Sequence, residues 1–355
     1  MQPMGQIHLG IIGCGKVTVA RHLPSIKAVG DPTVRLVAMA DAVPGLARQV
    51  ADEHGIALAF DDYRELIAMN EINAVSICTP AFTHRQIAID CLRAGKHVYL
   101  EKPAALNEAE MLEILAVSKE TDRVFIVGSN GLLQPQMFVF KNMIEQGQLG
   151  EVYNIGVSRT ASRGESHSRK SFSSDGGVRM ESASHNVEWA LFFLGDPKPV
   201  AVTATGYYKY DNLSILPHER EAKETQDAIM ALIQFDNGTS FSYSAIRAAA
   251  APPKYELTIQ GDLGQIRYDV NKCYQQKSNE CVDVYTQNEE GQLVASKPII
   301  ECGRTHAAMY EHFFQCIHEG QASPVSNGER SAVVMRVLDA LKLSIERGGK
   351  QIELN

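Results

Sequence analysis

No run of about twenty apolar residues occurs anywhere in the 355-residue chain, so nothing in it reads as a membrane span. The N-terminus lacks the pattern of a secretory leader too: the apolar stretch Leu9–Cys14 is short and broken by glycines. Positive charge is in deficit, with 34 lysines and arginines against 42 aspartates and glutamates, a net −8. A nucleic-acid binder needs a positive field to displace phosphate counterions, and that class is excluded on this ground. Paired cysteines are missing. The seven are scattered, odd in number and without a Cys-x-x-Cys, the usage of a reducing compartment where thiols serve as small buried hydrophobes. There is no His-Glu-x-x-His, and the histidines are not at ligand spacing, so no metal is expected. Internal repeats and low-complexity linkers are absent as well. The expectation is a cytoplasmic globular protein without nucleic-acid or membrane partners.

What is present is a change of texture along the chain. In the first third, short aliphatic runs (Ile7–Ile12, Val34–Ala40, Ala74–Cys78, His97–Leu100, Val124–Val127) alternate with amphipathic stretches such as Val17–Val29, Ala42–His54 and Thr83–Ala94. Asn107 with Glu110 three positions on marks the start of another helix, Glu108–Thr121. Continuous apolar strands alternating with helices predict a parallel sheet covered on both faces. After a helix over Pro135–Gln146 come longer strands: Glu151–Ser158, Val200–Tyr208, Ala228–Phe235, Thr239–Ile246, Tyr255–Gln260 and Gly264–Val270. Asn237-Gly238 reads as a hairpin turn among them. Helices Ser184–Leu194, His306–Glu319 and Gly328–Arg347 complete the set. Strands in succession predict a second α/β domain with a large, mostly antiparallel open sheet. The domains are placed at 1–128 and 129–355, the closing helix being able to pack back on the first.

The first strand runs straight into Gly13-Cys14-Gly15-Lys16-Val17-Thr18 and a helix. Gly13 permits a tight turn, and Gly15 lets the backbone approach a pyrophosphate at the helix N-terminus, with Lys16 and Val17 beside it. Thr18 stands where the fingerprint has Gly or Ala, which puts close strand–helix packing in question. The second strand ends in Ala40-Asp41, where a dinucleotide-binding (Rossmann) fold carries the acid that binds the adenosine ribose. The alternative is that Asp41 caps the next helix. A carboxylate there repels a 2′-phosphate, and no arginine follows it, so NAD is favoured over NADP.

With the glycine loop, three further segments resemble the glucose–fructose oxidoreductase / inositol 2-dehydrogenase (Gfo/Idh/MocA) family. They are Thr79-Pro80 with His84; Gly95-Lys96-His97-Val98 leading into Glu101-Lys102-Pro103; and Gly176-Gly177 with Glu181, His185 and Glu188. The resemblance implies a Rossmann domain followed by an α/β domain whose open sheet often forms a subunit interface, hence a homodimer or homotetramer. It implies Lys102 and His185 as the polar catalytic groups, with Glu181 where an aspartate is usual. Thr79, Pro80, His84, Glu101 and Lys102 are expected along the nicotinamide end of the cofactor, and Asn130 near substrate.

Oxidising an alcohol requires removal of its proton as hydride leaves the same carbon, the work of a base titrating near neutrality. His185 suits that role, and Glu181 at i, i+4 on a helix would share its face and stabilise the imidazolium. Lys102 suits stabilisation of alkoxide character. Sequence does not decide between them as base; His185 is preferred. Arg159, Arg163, Arg169, Lys170 and His167, with Glu165 the one acid between, make Ser158–Ser174 a basic stretch. Arg159 and Arg169 are the candidates to clamp an anionic group on a carbohydrate-like substrate. Three functions fit: a sugar or cyclitol dehydrogenase or reductase, a redox-neutral lyase or glycosidase working through transient oxidation, and a non-catalytic nicotinamide-binding regulator.

Overall fold

The computed structural model describes residues 5–162, 178–208, 226–275, 280–288, 290–300 and 305–354. Two compact units emerge: Met1–Leu133 with Arg304–Ala332, and Gln134–Gly303 with Val333–Asn355.

The first unit is built on a six-stranded sheet in the order β3-β2-β1-β4-β5-β6, every neighbouring pair parallel. Its strands are β1 Ile7–Ile12, β2 Val34–Ala40, β3 Leu58–Phe60, β4 Ala74–Ile77, β5 His97–Leu100 and β6 Phe125–Val127. Between them run α1 (residues 16–29), α2 Leu46–His54, α3 Tyr63–Ala68, α4 Ala81–Arg93 and α5 Glu108–Glu120. β4, β5 and β6 are buried at every position, which is why they read as unbroken apolar runs rather than alternating ones. β3 and α3 are too short to leave a period in the sequence. Strand order reverses between β1 and β4, and an open α/β sheet offers its ligand crevice at that switch point.

Residues 304–332 belong with this unit, although their place in the chain pointed to the second domain. The reason lies in a helix far downstream, Thr305–Glu319. Met309, Tyr310, Phe313, Phe314 and Ile317 of that helix share one core with Ile7, Leu9, Tyr99 and Ile126. Ser326, in the loop beyond it, bonds both the N–H and the C=O of Val127 on the edge strand β6.

The second unit is a nine-stranded sheet, antiparallel except for one parallel pair, β7 with β10. After α6 Pro135–Glu145 come β7 Val152–Ser162, α7 (residues 178–194), β8 Pro199–Tyr207, β9 Ala228–Phe235, β10 Ser240–Ala249, β11 Lys254–Gly261 and β12 Gly264–Asp269. Then follow α8 Val270–Tyr274, β13 Val282–Gln287, β14 Leu293–Ser296, α9 Thr305–Glu319 in the first unit, α10 Gly328–Glu346 and β15 Ile352–Glu353. Gly238, at φ 81°, turns the β9–β10 hairpin at the expected Asn-Gly. Along β9 and β10, Ile229, Ile233, Phe241, Tyr243 and Ala245 are buried. The residues between them, Met230, Leu232, Ser242 and Ser244, line the opposite, open face. β13, β14 and α8 went unread, being only six, four and five residues long.

Candidate active site

The glycine loop leaves β1 at Gly13, whose φ is 98°. A Cβ there would lie 2.8 Å from the Cys78 carbonyl carbon and oxygen, so only glycine lets β1 and β4 approach this closely. Around Gly15 the situation is opposite, with nothing within 4 Å of the missing Cβ. Gly15, Lys16 and Val17 are all exposed at the start of α1. Open space before unsatisfied helix N–H groups is what a pyrophosphate requires. Thr18 is fully buried, and its hydroxyl donates to the Gly13 carbonyl at 2.7 Å. The expected packing difficulty is resolved by that bond, and α1 widens into a π-turn over Thr18–His22.

Asp41 braces the same loop. Its Oδ2 accepts from the Cys14 N–H at 2.7 Å and its Oδ1 from the Val43 N–H at 2.8 Å. It is not the cap of α2, whose N-cap is Gly45. Each carboxylate oxygen keeps a lone pair beyond these bonds, the arrangement a ribose hydroxyl pair would use.

Thr79 and Pro80 follow β4, with Pro80 as the N-cap of α4. The Thr83 hydroxyl donates within this turn, 2.7 Å from Thr79 Oγ1. His84 lies behind rather than on the crevice surface, being 1% exposed. Its Nδ1 is 2.9 Å from the Pro103 carbonyl and its Nε2 2.8 Å from that of Thr79. It splints the turn after β4 to the turn after β5, so it reaches a cofactor only through Thr79.

Glu101 is buried beside half-exposed Lys102, not laid out along the crevice. Its Oε2 accepts from the Lys102 N–H at 2.9 Å, and its Oε1 lies 3.3 Å from Nε2 of His22. That Nε2 is wholly buried and has no well-aligned hydrogen bond, so the contact is one of charge. His22 Nδ1 is 2.8 Å from the Tyr310 hydroxyl, which is 2.7 Å from Ser76 Oγ. Asn130, expected near substrate, is taken up in the same cluster. Its amide nitrogen is 3.1 Å from His306 Nε2, and its Oδ1 accepts from the Tyr99 hydroxyl at 3.2 Å.

The charges follow from these contacts. Burial disfavours the His22 imidazolium, but Tyr310 first, then Cys78 and Glu101, outweigh it and hold the proton on. Burial likewise raises Glu101, yet His22, His306 and Lys102 bring it down to about 2. His306 is pushed down to about 4, burial being the largest cause, and as a neutral ring it accepts from Asn130. The two imidazoles stand edge to face at 5.3 Å, and only one is charged. Donors of His22, Glu101 and His306 all lie within 4.8 Å of one another, a spacing a cation would tolerate. The direct His22–Glu101 contact and the amide on His306 already engage them, and we read an ion pair with a neutral neighbour. His22, His306 and Tyr310 were not singled out from the sequence, where nothing links a histidine on α1 to a helix nearly three hundred residues away.

In the second unit, Glu181 and His185 are half-buried on α7. Glu181 lies in a π-turn, Arg179–Ala183, and the regular α-helix begins only at Ser184. The i, i+4 argument for a common face assumed α-geometry throughout, and the wider π-turn removes that premise. Glu181 Oε1 lies 3.9 Å from Arg159 of β7, whose guanidinium sits 5.3 Å over the Tyr255 ring. Both side chains are partly exposed and the contact is a long one, so Arg159 keeps donors open to solvent. Beside His185, Asn186 donates to the Ser182 carbonyl at 2.7 Å and accepts from the Tyr255 hydroxyl at 2.8 Å, which fixes this part of the helix to β11. Arg169, with Arg163, Glu165, His167, Lys170, Gly176 and Gly177, lies outside the described residues.

A doubly wound sheet with a glycine turn and a ribose-type acid at its switch point defines a dinucleotide-binding oxidoreductase, and the chain belongs to the Gfo/Idh/MocA family. Residues 7–129 match the oxidoreductase family's NAD-binding Rossmann fold, and residues 141–354 match its C-terminal alpha/beta domain. The inositol 2-dehydrogenase of Rhizobium meliloti is 28% identical over 261 residues, 73% of this chain and 74% of that protein. The myo-inositol 2-dehydrogenase of Thermotoga maritima is 25% identical over 265 residues, 74% of this chain and 75% of its own length. In fold, the chain is similar to a levoglucosan dehydrogenase solved in complex with NADH, with a TM-score of 0.84, 23% identity and 99% of each chain covered. The cofactor is NAD, and Gly13, the open space at Gly15 and Asp41 form a loop that fits it.

Proposed function

We propose that this oxidoreductase interconverts a secondary hydroxyl and a carbonyl on a sugar, sugar derivative or cyclitol. The observation that carries the reading is family membership over both domains, together with Lys102 standing half-buried where strand β5 ends, against a buried carboxylate. NAD, when bound, takes up or returns the hydride, held by Gly13, Gly15, Lys16, Val17, Asp41, Thr79 and Pro80. His185 is the general acid/base that exchanges the hydroxyl proton, with Glu181 adding negative charge one turn earlier on the same element. Lys102 places a positive charge at the reacting oxygen and takes part in the proton transfer. Arg159 and Arg169 are proposed to meet an anionic group where the substrate carries one. The relatives named for inositol and levoglucosan set the substrate class to be tried first.

The test is a panel of cyclitols, anhydrosugars, sugars, uronates and sugar phosphates with NAD or NADP, following absorbance of the reduced nicotinamide. Lys102→Met and His185→Asn should each lower kcat by about a hundredfold or more with NADH affinity kept. Turnover of a substrate with catalytic NAD and no net NADH would replace this reading with the redox-neutral one. NAD binding without any turnover would leave a regulator. We further propose that the chain self-associates through the open face of its nine-stranded sheet, where Met230 and Leu232 are exposed.

A further inference from the structure

Among the buried polar atoms of the second unit that lack a hydrogen bond, two meet at one corner. One is Nε2 of Gln134, the N-cap residue of α6, which is 1% exposed. Its Oε1 is engaged, accepting from Gln136, which also donates to the Tyr268 hydroxyl. The other is the hydroxyl of Tyr243 on β10. A buried donor left unmade carries the full cost of its desolvation, so each calls for a reason. Their neighbours supply one. Tyr274, at the end of α8, is 54% exposed as a whole, while its hydroxyl end is the buried part. Burial raises that hydroxyl, and Arg159 and then Gln134 oppose the rise. Arg159 acts on the hydroxyls of Tyr243 and Tyr255 in the same sense, so its guanidinium stands amid all three phenols. Its plane is set from below: it lies 5.3 Å over Tyr255, whose ring stacks on Trp189 and whose hydroxyl is bonded to Asn186.

The geometry points to a polyol-binding corner in the second unit: the exposed ring of Tyr274 packs on the C–H face of a sugar or cyclitol ring, while Arg159, Gln134 and Glu181 bind a pair of its hydroxyls away from the reacting carbon. This rests on the proposed carbohydrate substrate and names the groups of it that the second unit reads. A hydroxyl both donates and accepts, and the corner offers both, with donors on Arg159 and Gln134 and acceptor sites on the Glu181 carboxylate. A substrate carboxylate or phosphate would use the donors alone and would stand against Glu181, 3.9 Å from the guanidinium. A neutral ring is therefore the better match. One aromatic wall with a few placed polar groups is the usual composition of a small-molecule site. Glu181 also stands four residues before His185 on α7, which sets the corner a turn from the proposed acid/base.

Trp189 is the only tryptophan of the chain and stacks on Tyr255 at 5.8 Å, so its emission reads the corner without turnover. The full-length Lys102→Met chain, saturated with NAD, is titrated with myo-inositol, methyl glucoside, levoglucosan, glucuronate and glucose 6-phosphate. A neutral ring should change the emission saturably. Tyr274→Ala and Gln134→Leu should each raise its Kd about tenfold, and Tyr274→Phe, which keeps the ring, by less than about threefold. With Lys102 in place, Tyr274→Ala should raise KM by the same factor and leave kcat within about twofold. If Gln134→Leu does not fold, Tyr274→Ala carries the test, because its side chain is half-exposed. A chain whose emission no ring alters overturns the inference, as does Tyr274→Ala binding as tightly as its parent. Glucuronate or glucose 6-phosphate binding more tightly than the neutral rings hands Arg159 to an anion and overturns it as well. Saturable binding of a neutral ring with no hydride transfer by the wild-type chain would instead overturn the proposed function and leave the corner standing.

Discussion

At the scale of single residues, two buried histidines give the protein an acid limit. His97 is 3% exposed, its Nδ1 accepts from the Val124 N–H at 3.0 Å, and its Nε2 is buried without a partner. Protonating Nδ1 breaks that bond, and burial, then Arg123, pushes the ring down from 6.5 to about 4. His306 is depressed to the same level. A folded value below the unfolded one means that the unfolded chain binds more protons between the two. The contribution of these two rings is therefore intact above pH 6.5 and lost as pH falls toward 4. Below 4.5 the loss continues, because Glu101 keeps its charge in the fold down to about 2. Melting temperature against pH checks this. His97→Asn retains an acceptor for Val124 and should flatten the slope between 6.5 and 4 by roughly half.

At the scale of elements, both candidate site helices begin in π-turns, one over Thr18–His22 and one over Arg179–Ala183. Such turns are rare and recur at functional sites. In α1 the cause is local: the Thr18 hydroxyl takes the Gly13 carbonyl, and Gly13 itself is held to the Ala40 carbonyl at 2.8 Å. Thr18→Val keeps the shape and removes the bond, leaving a buried carbonyl unpaired. It should cost about 1–3 kcal/mol in chemical denaturation. Gly13→Ala is more severe, since its Cβ meets backbone rather than a flexible side chain. More than about 2 kcal/mol should be lost, together with NADH binding in a fluorescence titration.

At the scale of the molecule, sequence order and spatial unit part company. α9 carries five large apolar side chains into the core of the first unit, each worth about 1.5–3 kcal/mol when fully buried. A fragment ending at residue 133 should therefore expose that core, bind a hydrophobic dye and lack a cooperative melt, while the full chain does neither. The open face of the second sheet is the surface proposed for assembly. Leu232→Asp should lower the mass seen by light scattering while leaving the melting temperature within a few degrees.

Local pattern was enough to read the alternating strands and helices, the glycine turn and the place of Asp41 at the end of β2, because each depends on neighbours within a few residues. The apolar runs of β1, β4 and β5 announce burial on both faces, and Gly13 announces a turn that no side chain survives. Distance in the chain hid the rest. Glu101 meets buried His22, Asn130 is bonded to His306, and His84 splints the turns after β4 and β5. The partners Tyr310 and His306 come from α9, brought to β1 and β5 by its apolar face, and the electrostatics of Glu101 are complete only once that helix is in place. Hydrophobic period is a short-range signal, whereas a buried charge is defined by whichever groups the completed fold sets within a few ångströms of it.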